Sequence, residues 1–228
     1  MSMKKVLISL VVFMMVFLNG CTAPAVDNTA ELEKVKEENL VLQEKVTDLE
    51  EKLGANPNQT ANQIAILLAM DVIQALQAND MQALETYAHP QNGIRFSPYS
   101  FVDQTNDIVI PSNNLIAEYG SATIHTWGSY DGSGDPIDLT FSDYFDRFVY
   151  NQDFANPHII GNNQMVQTGG NTTNNLLTVY PNAEFVEFHF TGFDPQYDGM
   201  DWTSLRIVME EYNGQLYVIG IIHDEWTI

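Results

Sequence analysis

The stretch LRIVMEEYNGQLYVIGIIH, residues 205–223, predicts a long antiparallel hairpin. Its centre, Asn213-Gly214, is the residue pair most typical of a two-residue turn, in which both residues adopt positive φ. Such a turn sets the register of both strands. The expected partners are Tyr212 with Gln215, Glu210 with Tyr217, and Arg206 with Ile221. Because successive side chains of a strand point to opposite faces, this register also assigns each residue to a face.

The two predicted faces of the hairpin differ in chemistry. The apolar face holds Leu205, Ile207, Met209, Leu216, Val218 and Ile222. The mixed face holds Arg206, Val208, Glu210, Tyr217, Ile219, Ile221 and His223. A further strand at residues 183–190 alternates in the same way, with Phe185, Glu187 and His189 opposite Val186, Phe188 and Phe190.

Helices are expected before these strands. Apolar residues recur at helical spacing over residues 64–76, Asp80 can cap a second short helix, and Thr140-Phe-Ser-Asp143 is typical of a third helix start. Short strands are expected at residues 94–96, 108–110, 123–130 and 159–166. This order predicts an α+β domain at residues 61–228, with helices packed on a curved, cone-like antiparallel sheet.

The layout of this domain resembles the nuclear transport factor 2 superfamily. The matching stretches are residues 61–90, which resemble the opening helices and include ALQANDMQALETYAHP, and the ending GQLYVIGIIHDEWTI at residues 214–228. Residues 96–127 are also similar to a family of uncharacterised bacterial lipoproteins. The superfamily contains enzymes, ligand carriers and interaction domains, so the resemblance implies a fold and leaves the activity open.

Residues 1–20 have the pattern of a lipoprotein signal peptide. Lys4 and Lys5 precede a predominantly apolar run at residues 6–18, which is shorter than the roughly 20 residues of a membrane-spanning helix. The sequence Leu18-Asn19-Gly20-Cys21 resembles the lipobox of bacterial lipoproteins. The resemblance implies that Cys21 carries a diacylglycerol and palmitate, which would anchor the chain at the outer, extracytoplasmic face of the cell membrane. The alternative is an ordinary signal peptide in which Cys21 has no role.

Residues 31–54 are predicted to form a single long coiled-coil helix, after a flexible tether at residues 21–30 and before a linker at residues 55–60. The heptad a positions are Leu32, Asn39, Val46 and Leu53, and the d positions are Val35, Leu42 and Leu49. One polar a position favours a two-stranded coil of fixed register, so residues 31–53 predict a parallel homodimer. The alternatives are a charged helical spacer or a coil with a different protein.

Charge is distributed unevenly along the chain, which has 30 acidic and 9 basic residues and a formal net charge of −21. From residue 57 onward the chain has 21 acidic residues, and its only lysine or arginine residues are Arg95, Arg147 and Arg206. Nucleic acid is excluded as a partner, because phosphate binding depends on lysine and arginine. Phosphate-binding loops and Schiff-base chemistry are excluded in this part as well, because each needs a lysine.

Ionisable and aromatic residues of the predicted sheet are the candidate ligand-binding residues: Glu187, His189, Arg206, Glu210, Tyr217 and His223. Polar groups in an apolar wall suit a small-molecule site. A histidine beside a carboxylate could also act as a general base, as in isomerases and dehydratases of the superfamily. That catalytic alternative uses Glu187, His189, Arg206, Glu210 and His223. In the simplest alternative, Arg206 and Glu210 form a surface ion pair and His189 lies at a solvated edge.

An acidic loop is the weak candidate for a metal site. Asp131, Ser133, Asp135 and Asp138 place oxygen atoms at short spacings, which suits calcium, although such residues also dominate ordinary turns. No other cofactor is expected. Aromatic residues could line a groove for carbohydrate or peptide.

Together these patterns predict a lipid-anchored extracytoplasmic binding or interaction domain without catalytic activity, displayed on a helical stalk. The alternative is a pocket enzyme of isomerase, dehydratase or hydrolase type that uses a histidine and carboxylate pair in the cone.

Overall fold

The computed structural model describes residues 57–166 and 173–227, with side chains from residue 62, and scattered helical residues between Lys34 and Lys45. The chain divides into two compact units, residues 1–52 and residues 53–228. The predicted signal peptide, Cys21, the tether and most heptad positions lie outside the described residues. In the first unit, the predicted d residues Val35 and Leu42 are 48% and 57% exposed.

Three helices of the second unit were predicted from the sequence, whereas those at Leu115–Tyr119 and Leu176–Val179 were not. The helices of this unit are α1 (Pro57–Gln77), α2 (Met81–Tyr87), α3 (Leu115–Tyr119), α4 (Phe141–Tyr144) and α5 (Leu176–Val179). A π-helical turn, Phe145–Val149, continues α4, and short 3₁₀ turns lie at Ser112–Asn114 and Pro195–Tyr197. Asp80 accepts a hydrogen bond from the backbone of Ala83, and Thr140 accepts one from Asp143, so both predicted caps are confirmed.

The strands are β1 (Ile94–Ser97), β2 (Ile108–Ile110), β3 (His125–Ser129), β4 (Pro136–Leu139), β5 (Ile159–Asn162), β6 (Glu184–Phe190), β7 (Thr203–Tyr212) and β8 (Gln215–Glu225). Within the described residues, six of them form one sheet in the order β2-β1-β8-β7-β6-β5, while β3 and β4 form a separate hairpin. The α+β class is therefore confirmed.

The sheet is mixed, and the prediction of a purely antiparallel sheet was wrong. Strand β8 lies between β7 and β1, and it runs antiparallel to β7 but parallel to β1. The partners β1 and β8 are more than 100 residues apart in sequence. Alternation within a strand does not specify the direction of so distant a neighbour.

The hairpin of β7 and β8 contains a β-bulge that no sequence pattern predicted. The turn is confirmed, since Asn213 and Gly214 have φ of 55° and 80° and Tyr212 pairs with Gln215. Met209 pairs with Val218, but Val208 pairs with Gly220, which leaves Ile219 as the extra residue. Arg206 consequently pairs with Ile222, and the predicted partner Ile221 was wrong. Every residue of β8 after the bulge lies on the face opposite to the predicted one.

Each face of the sheet is covered by other elements. The first face, which carries Val186, Leu205, Ile207 and Ile221, belongs to the main core together with the helices. Helix α1 contributes Ala65, Ala69, Val72, Ile73 and Leu76 to this core. The second face carries Phe185, Val208, Ile219 and Ile222, which pack in a smaller cluster with Val102, Leu176 and Tyr180. Polar side chains of the sheet therefore lie under this cover or at its margins.

Candidate functional site

A buried polar network occupies the second face of the sheet. It consists of Glu187 and His189 on β6, Ser204 and Arg206 on β7, and Asp224 on β8. The strand register positions these residues, because Glu187 lies opposite Arg206 and Ser204 lies between His189 and Asp224. All five are buried. The structure thus brings together three of the predicted candidates and adds Ser204 and Asp224.

Arg206 joins two carboxylates at the centre of this network. Its Nη1 donates to Asp224 Oδ2 at 3.0 Å, and its Nη2 donates to Glu187 Oε1 at 3.1 Å. Glu187 also accepts hydrogen bonds from the Ser204 hydroxyl at 2.8 Å and from the Val166 backbone at 2.9 Å. The predicted surface ion pair of Arg206 with Glu210 was wrong, since the Arg206 side chain is fully buried.

The order of groups around Ser204 is not that of an activated nucleophile. The Ser204 proton is donated to Glu187, so the 2.8 Å contact between Ser204 Oγ and His189 Nδ1 requires the proton to be on the imidazole nitrogen. A nucleophilic serine would instead donate its proton to the histidine. Burial lowers the pKa of His189, which keeps the ring neutral. The predicted solvated position of His189 was also wrong.

Electrostatics within the network are not fully balanced. Two carboxylates face one guanidinium, and burial raises the pKa of Asp224 to about 6 even though Arg206 acts in the opposite direction. Arg206 Nε and Asp224 Oδ1 are buried without a hydrogen-bond partner among the described residues. Buried polar atoms without partners destabilise the fold. The two buried carboxylates therefore depend strongly on the positive charge of Arg206.

His223 lies on the first face of the sheet, and its predicted position on the mixed face was wrong because of the bulge. Its Nδ1 is 3.0 Å from the Pro98 carbonyl oxygen, and its Nε2 is 3.1 Å from Asn151 Nδ2. A carbonyl can only accept, so Nδ1 carries the proton and the amide of Asn151 donates to Nε2. Burial lowers the pKa of His223 to about 4. These contacts make His223 a neutral core residue.

Glu210 and Tyr217 lie at the far end of the hairpin from the buried polar network. Glu210 Oε2 accepts a hydrogen bond from Asn92 Nδ2 at 3.3 Å and lies 4.0 Å from His89 Nε2. The Tyr217 ring contacts His89, with ring centroids 5.9 Å apart. His89 was not a predicted site residue, and the pattern His89-Pro90 indicated only the end of a helix.

An open cleft of about 660 Å³ lies where the segment after β1 meets the loop between β3 and β4. Its lining consists of Tyr99, Phe101, Ser129, Tyr130, Asp131, Gly132, Ser133, Gly134 and Thr173, and we call it the aromatic cleft. Within this lining there is one carboxylate and no lysine, arginine or histidine. The cleft therefore offers aromatic rings and hydroxyl groups with a single negative charge.

The walls of the aromatic cleft are tied together at Tyr99. The Asp131 backbone donates to the Tyr99 hydroxyl at 3.2 Å, and both Tyr99 and Tyr130 have ring contacts with buried Phe148. Phe101 is 51% exposed beside them. None of these aromatic residues was a predicted site residue, because they come from segments about 30 residues apart and share no periodic pattern.

Asp131, Ser133 and Asp135 of the predicted calcium loop lie in the turn between β3 and β4, and Asp138 lies on β4. The Ser133 hydroxyl accepts a hydrogen bond from the Asp135 backbone at 3.2 Å, and Asp138 accepts one from Thr126 at 2.6 Å. In the described part of the chain, no group of three or more His, Cys, Asp or Glu side chains could hold a metal ion. Ordinary turn contacts account for these residues, and calcium binding stays a prediction.

The comparisons with protein-family models, curated proteins and solved structures found no match for this chain. The resemblances to bacterial lipoproteins and to the nuclear transport factor 2 superfamily therefore stay predictions. No helix among the described residues is long and apolar enough to cross a membrane.

Proposed function

We propose that this chain is a lipid-anchored extracytoplasmic binding domain whose ligand is an uncharged carbohydrate held in the aromatic cleft. The observation that carries the proposal is the exposed ring of Phe101 beside Tyr99 and Tyr130, in a cleft of about 660 Å³. Clefts of this size accommodate small ligands, and a few polar groups in an apolar wall give them specificity.

The chemistry of the lining favours a neutral polyhydroxylated ligand. The apolar faces of sugar rings can lie against the aromatic rings, while Ser129, Ser133 and Asp131 supply hydroxyl and carboxylate partners for sugar hydroxyls. An anionic ligand would meet Asp131 without a cation in the described lining, within a domain of strongly negative charge. A neutral glycan has neither disadvantage.

Phe101→Ala is expected to weaken carbohydrate binding by at least about tenfold, since an aromatic anchor in a binding site contributes on the order of 2 kcal/mol. Isothermal titration calorimetry with neutral maltotetraose, cellotetraose and chitotetraose measures the affinity. Amide shifts of Tyr99, Phe101 and Tyr130 in a ¹⁵N spectrum locate the bound sugar.

Phe193→Ala is the matched control for this test, because Phe193 is 48% exposed but does not line the cleft. We expect this variant to bind like the unmodified protein. Absence of binding for all three sugars at millimolar concentration would refute the carbohydrate proposal. Equal weakening by both variants would refute the location.

The lipid anchor is supported by the sequence of the first 21 residues. In a bacterial host, Cys21→Ala is expected to abolish incorporation of labelled palmitate and to release the protein from the membrane fraction. Cys21 is the only cysteine of the chain, so no other thiol can substitute for it. Palmitate labelling that persists in the variant would contradict the anchor.

The stalk is the second part of this proposal. Val35 and Leu42 are exposed apolar residues at predicted d positions, which supports their use as a contact with a second copy. The catalytic alternative receives less support, because Glu187, His189 and Arg206 are buried, with Glu187 bonded to Arg206 and His189 bonded to Ser204.

A further inference from the structure

A second, smaller cleft opens on the second face of the sheet, near the edge formed by β1 and β2. Its volume is about 340 Å³, and its lining consists of Asn92, Arg95, Val109, Tyr180, Glu210 and Ile219. We call it the Arg95 cleft. It shares no lining residue with the aromatic cleft.

The groups that accept hydrogen bonds from Arg95 are neutral, although the carboxylates of Asp103 and Asp107 are close enough to interact with its charge. Arg95 Nη1 donates to the backbone oxygens of Asp103 and Asp107, each at 3.3 Å, and the uncharged Tyr180 hydroxyl is a further hydrogen-bonding neighbour. Arg147 and Arg206 are both in salt bridges with carboxylates, whereas the described residues include no salt bridge to Arg95. The guanidinium is therefore oriented by neutral partners, and its remaining N–H groups can pair with a carboxylate of a ligand.

The carboxylates of Asp103 and Asp107, which lie near Arg95, are engaged by other groups of the protein. Asp107 Oδ2 accepts hydrogen bonds from the Ser97 hydroxyl and the Asp103 backbone. The Asp103 carboxylate accepts from the backbone of Thr105 and from the backbone and side chain of Asn106. These contacts hold both side chains in positions other than a direct pair with Arg95.

Glu210 supplies an oriented negative charge to the same cleft. Its side chain is 48% exposed, and its Oε2 is tied to the protein through Asn92 at 3.3 Å and the nearby ring of His89. The other carboxylate oxygen, Oε1, accepts no hydrogen bond from the described residues, so it can pair with a ligand. Val109 and Ile219 contribute apolar surface to the lining that Arg95 and Glu210 share.

We propose that the Arg95 cleft binds a free aliphatic amino acid in its zwitterionic form. The carboxylate pairs with Arg95, the ammonium group pairs with Glu210, and the aliphatic side chain lies against Val109 and Ile219. An anion alone would meet Glu210 and the negative charge of the domain, and a cation alone would meet Arg95. Only a ligand with both charges satisfies the two residues together, and about 340 Å³ is within the size range of small-ligand clefts.

The test compares the binding of L-leucine with that of two analogues, each lacking one charged group, to the complete mature chain. The first analogue, 4-methylpentanoate, lacks the ammonium group, and the second, 3-methylbutylamine, lacks the carboxylate. We expect leucine to shift the amide signals of Asn92, Arg95 and Glu210 in a ¹⁵N spectrum. Each analogue should bind at least about tenfold more weakly than leucine, because one charge-assisted hydrogen-bonded pair is lost.

Substitutions of Glu210 and Arg95 test which residue pairs with each charged group of leucine. Glu210→Gln should weaken leucine binding at least about tenfold and leave the affinity for 4-methylpentanoate unchanged or higher. Glu211→Gln is the matched control, since Glu211 is the next residue and does not line the cleft. Arg95→Gln should weaken both ligands, with Arg147→Gln as its control. If Arg95→Gln does not fold, Glu210→Gln on the partly exposed carboxylate still decides the result.

Three results would overturn the proposal: no leucine-dependent shifts at the cleft, equal affinity for leucine and 4-methylpentanoate, or leucine binding that Glu210→Gln does not weaken. Phe101→Ala should have no effect on leucine binding. This control separates failure of the Arg95 cleft from failure of the carbohydrate proposal.

Discussion

Arg206→Met is expected to lower the free energy of unfolding by about 3–5 kcal/mol at pH 7. The reason is that Arg206 is the cation between Glu187 and Asp224, and its removal leaves two buried carboxylates without that cation. An unpaired buried charge costs far more than the pair itself contributes. Urea denaturation followed by circular dichroism and tryptophan fluorescence measures the loss.

Two variants separate this charge effect from the effect of losing a long side chain. Arg147→Met removes an arginine whose side chain is 40% exposed in its salt bridge with Glu225, and it should cost no more than about 1 kcal/mol. The triple variant Arg206→Met, Glu187→Gln, Asp224→Asn removes all three charges and should recover part of the stability. Equal losses for Arg206→Met and Arg147→Met would contradict the structural role of the network.

The loss of unfolding free energy caused by Arg206→Met should also become smaller at acidic pH. Burial already raises the pKa of Asp224 to about 6 with the arginine present, and without it the carboxyl should bind a proton still more readily. A carboxyl group with a raised pKa in the folded state binds its proton at a higher pH there than in the unfolded state. Lowering the pH from 7 to 5 therefore stabilises the folded state. The difference between the variant and the unmodified protein should therefore narrow over this range.

His223→Gln is expected to remove about 3 kcal/mol of acid destabilisation between pH 7 and pH 4. Burial lowers the pKa of His223 to about 4, while a histidine in the unfolded chain titrates near its ordinary value of 6.5. As the pH falls through 6.5, the unfolded chain binds a proton that the folded chain refuses, and stability is lost until the folded pKa is reached. A glutamine at this position does not titrate.

The measurement is the difference in free energy of unfolding between His223→Gln and the unmodified protein at each pH. At pH 7 the variant should be less stable, because contacts with Pro98 and Asn151 are altered. That deficit should shrink as the pH falls towards 4. Asp107 and Asp224, whose pKa values burial raises to about 6, act in the opposite direction in both proteins and largely cancel in the difference. A difference that does not vary with pH would refute a neutral, buried His223.

The elements with strong local signals were predicted well. The turn at Asn213-Gly214, the caps at Asp80 and Thr140, and the alternation of β6 all have local causes, and the structure confirms each of them. The near absence of cations after residue 57 predicts, on composition alone, that the domain does not bind nucleic acid, and the absence of lysine there rules out chemistry that needs one. These conclusions depend on neighbouring residues or on composition, which a single sequence contains in full.

The candidate site was predicted only in part, because its geometry depends on one inserted residue. Up to Val218 the expected register was right, and Glu187, His189 and Arg206 do lie together. The bulge at Ile219 then exchanged the faces of all later residues, which moved His223 to the first face and brought Asp224 to Arg206. No periodicity in β8 indicates the bulge, since apolar residues lie on both sides of it.

The sequence by itself determined the elements with strong local signals, the turn at Asn213-Gly214, and the lysine-dependent chemistries that an acidic domain without lysine cannot perform. Tertiary structure alone decided the parallel pairing of β1 with β8, the faces beyond the bulge, and the two clefts. The physical reason is the range of the interactions. Caps, turns and alternation involve residues within a few positions of one another. Tyr99 bonds to Asp131, and Arg95 and Glu210 line one cleft, only because distant segments pack together.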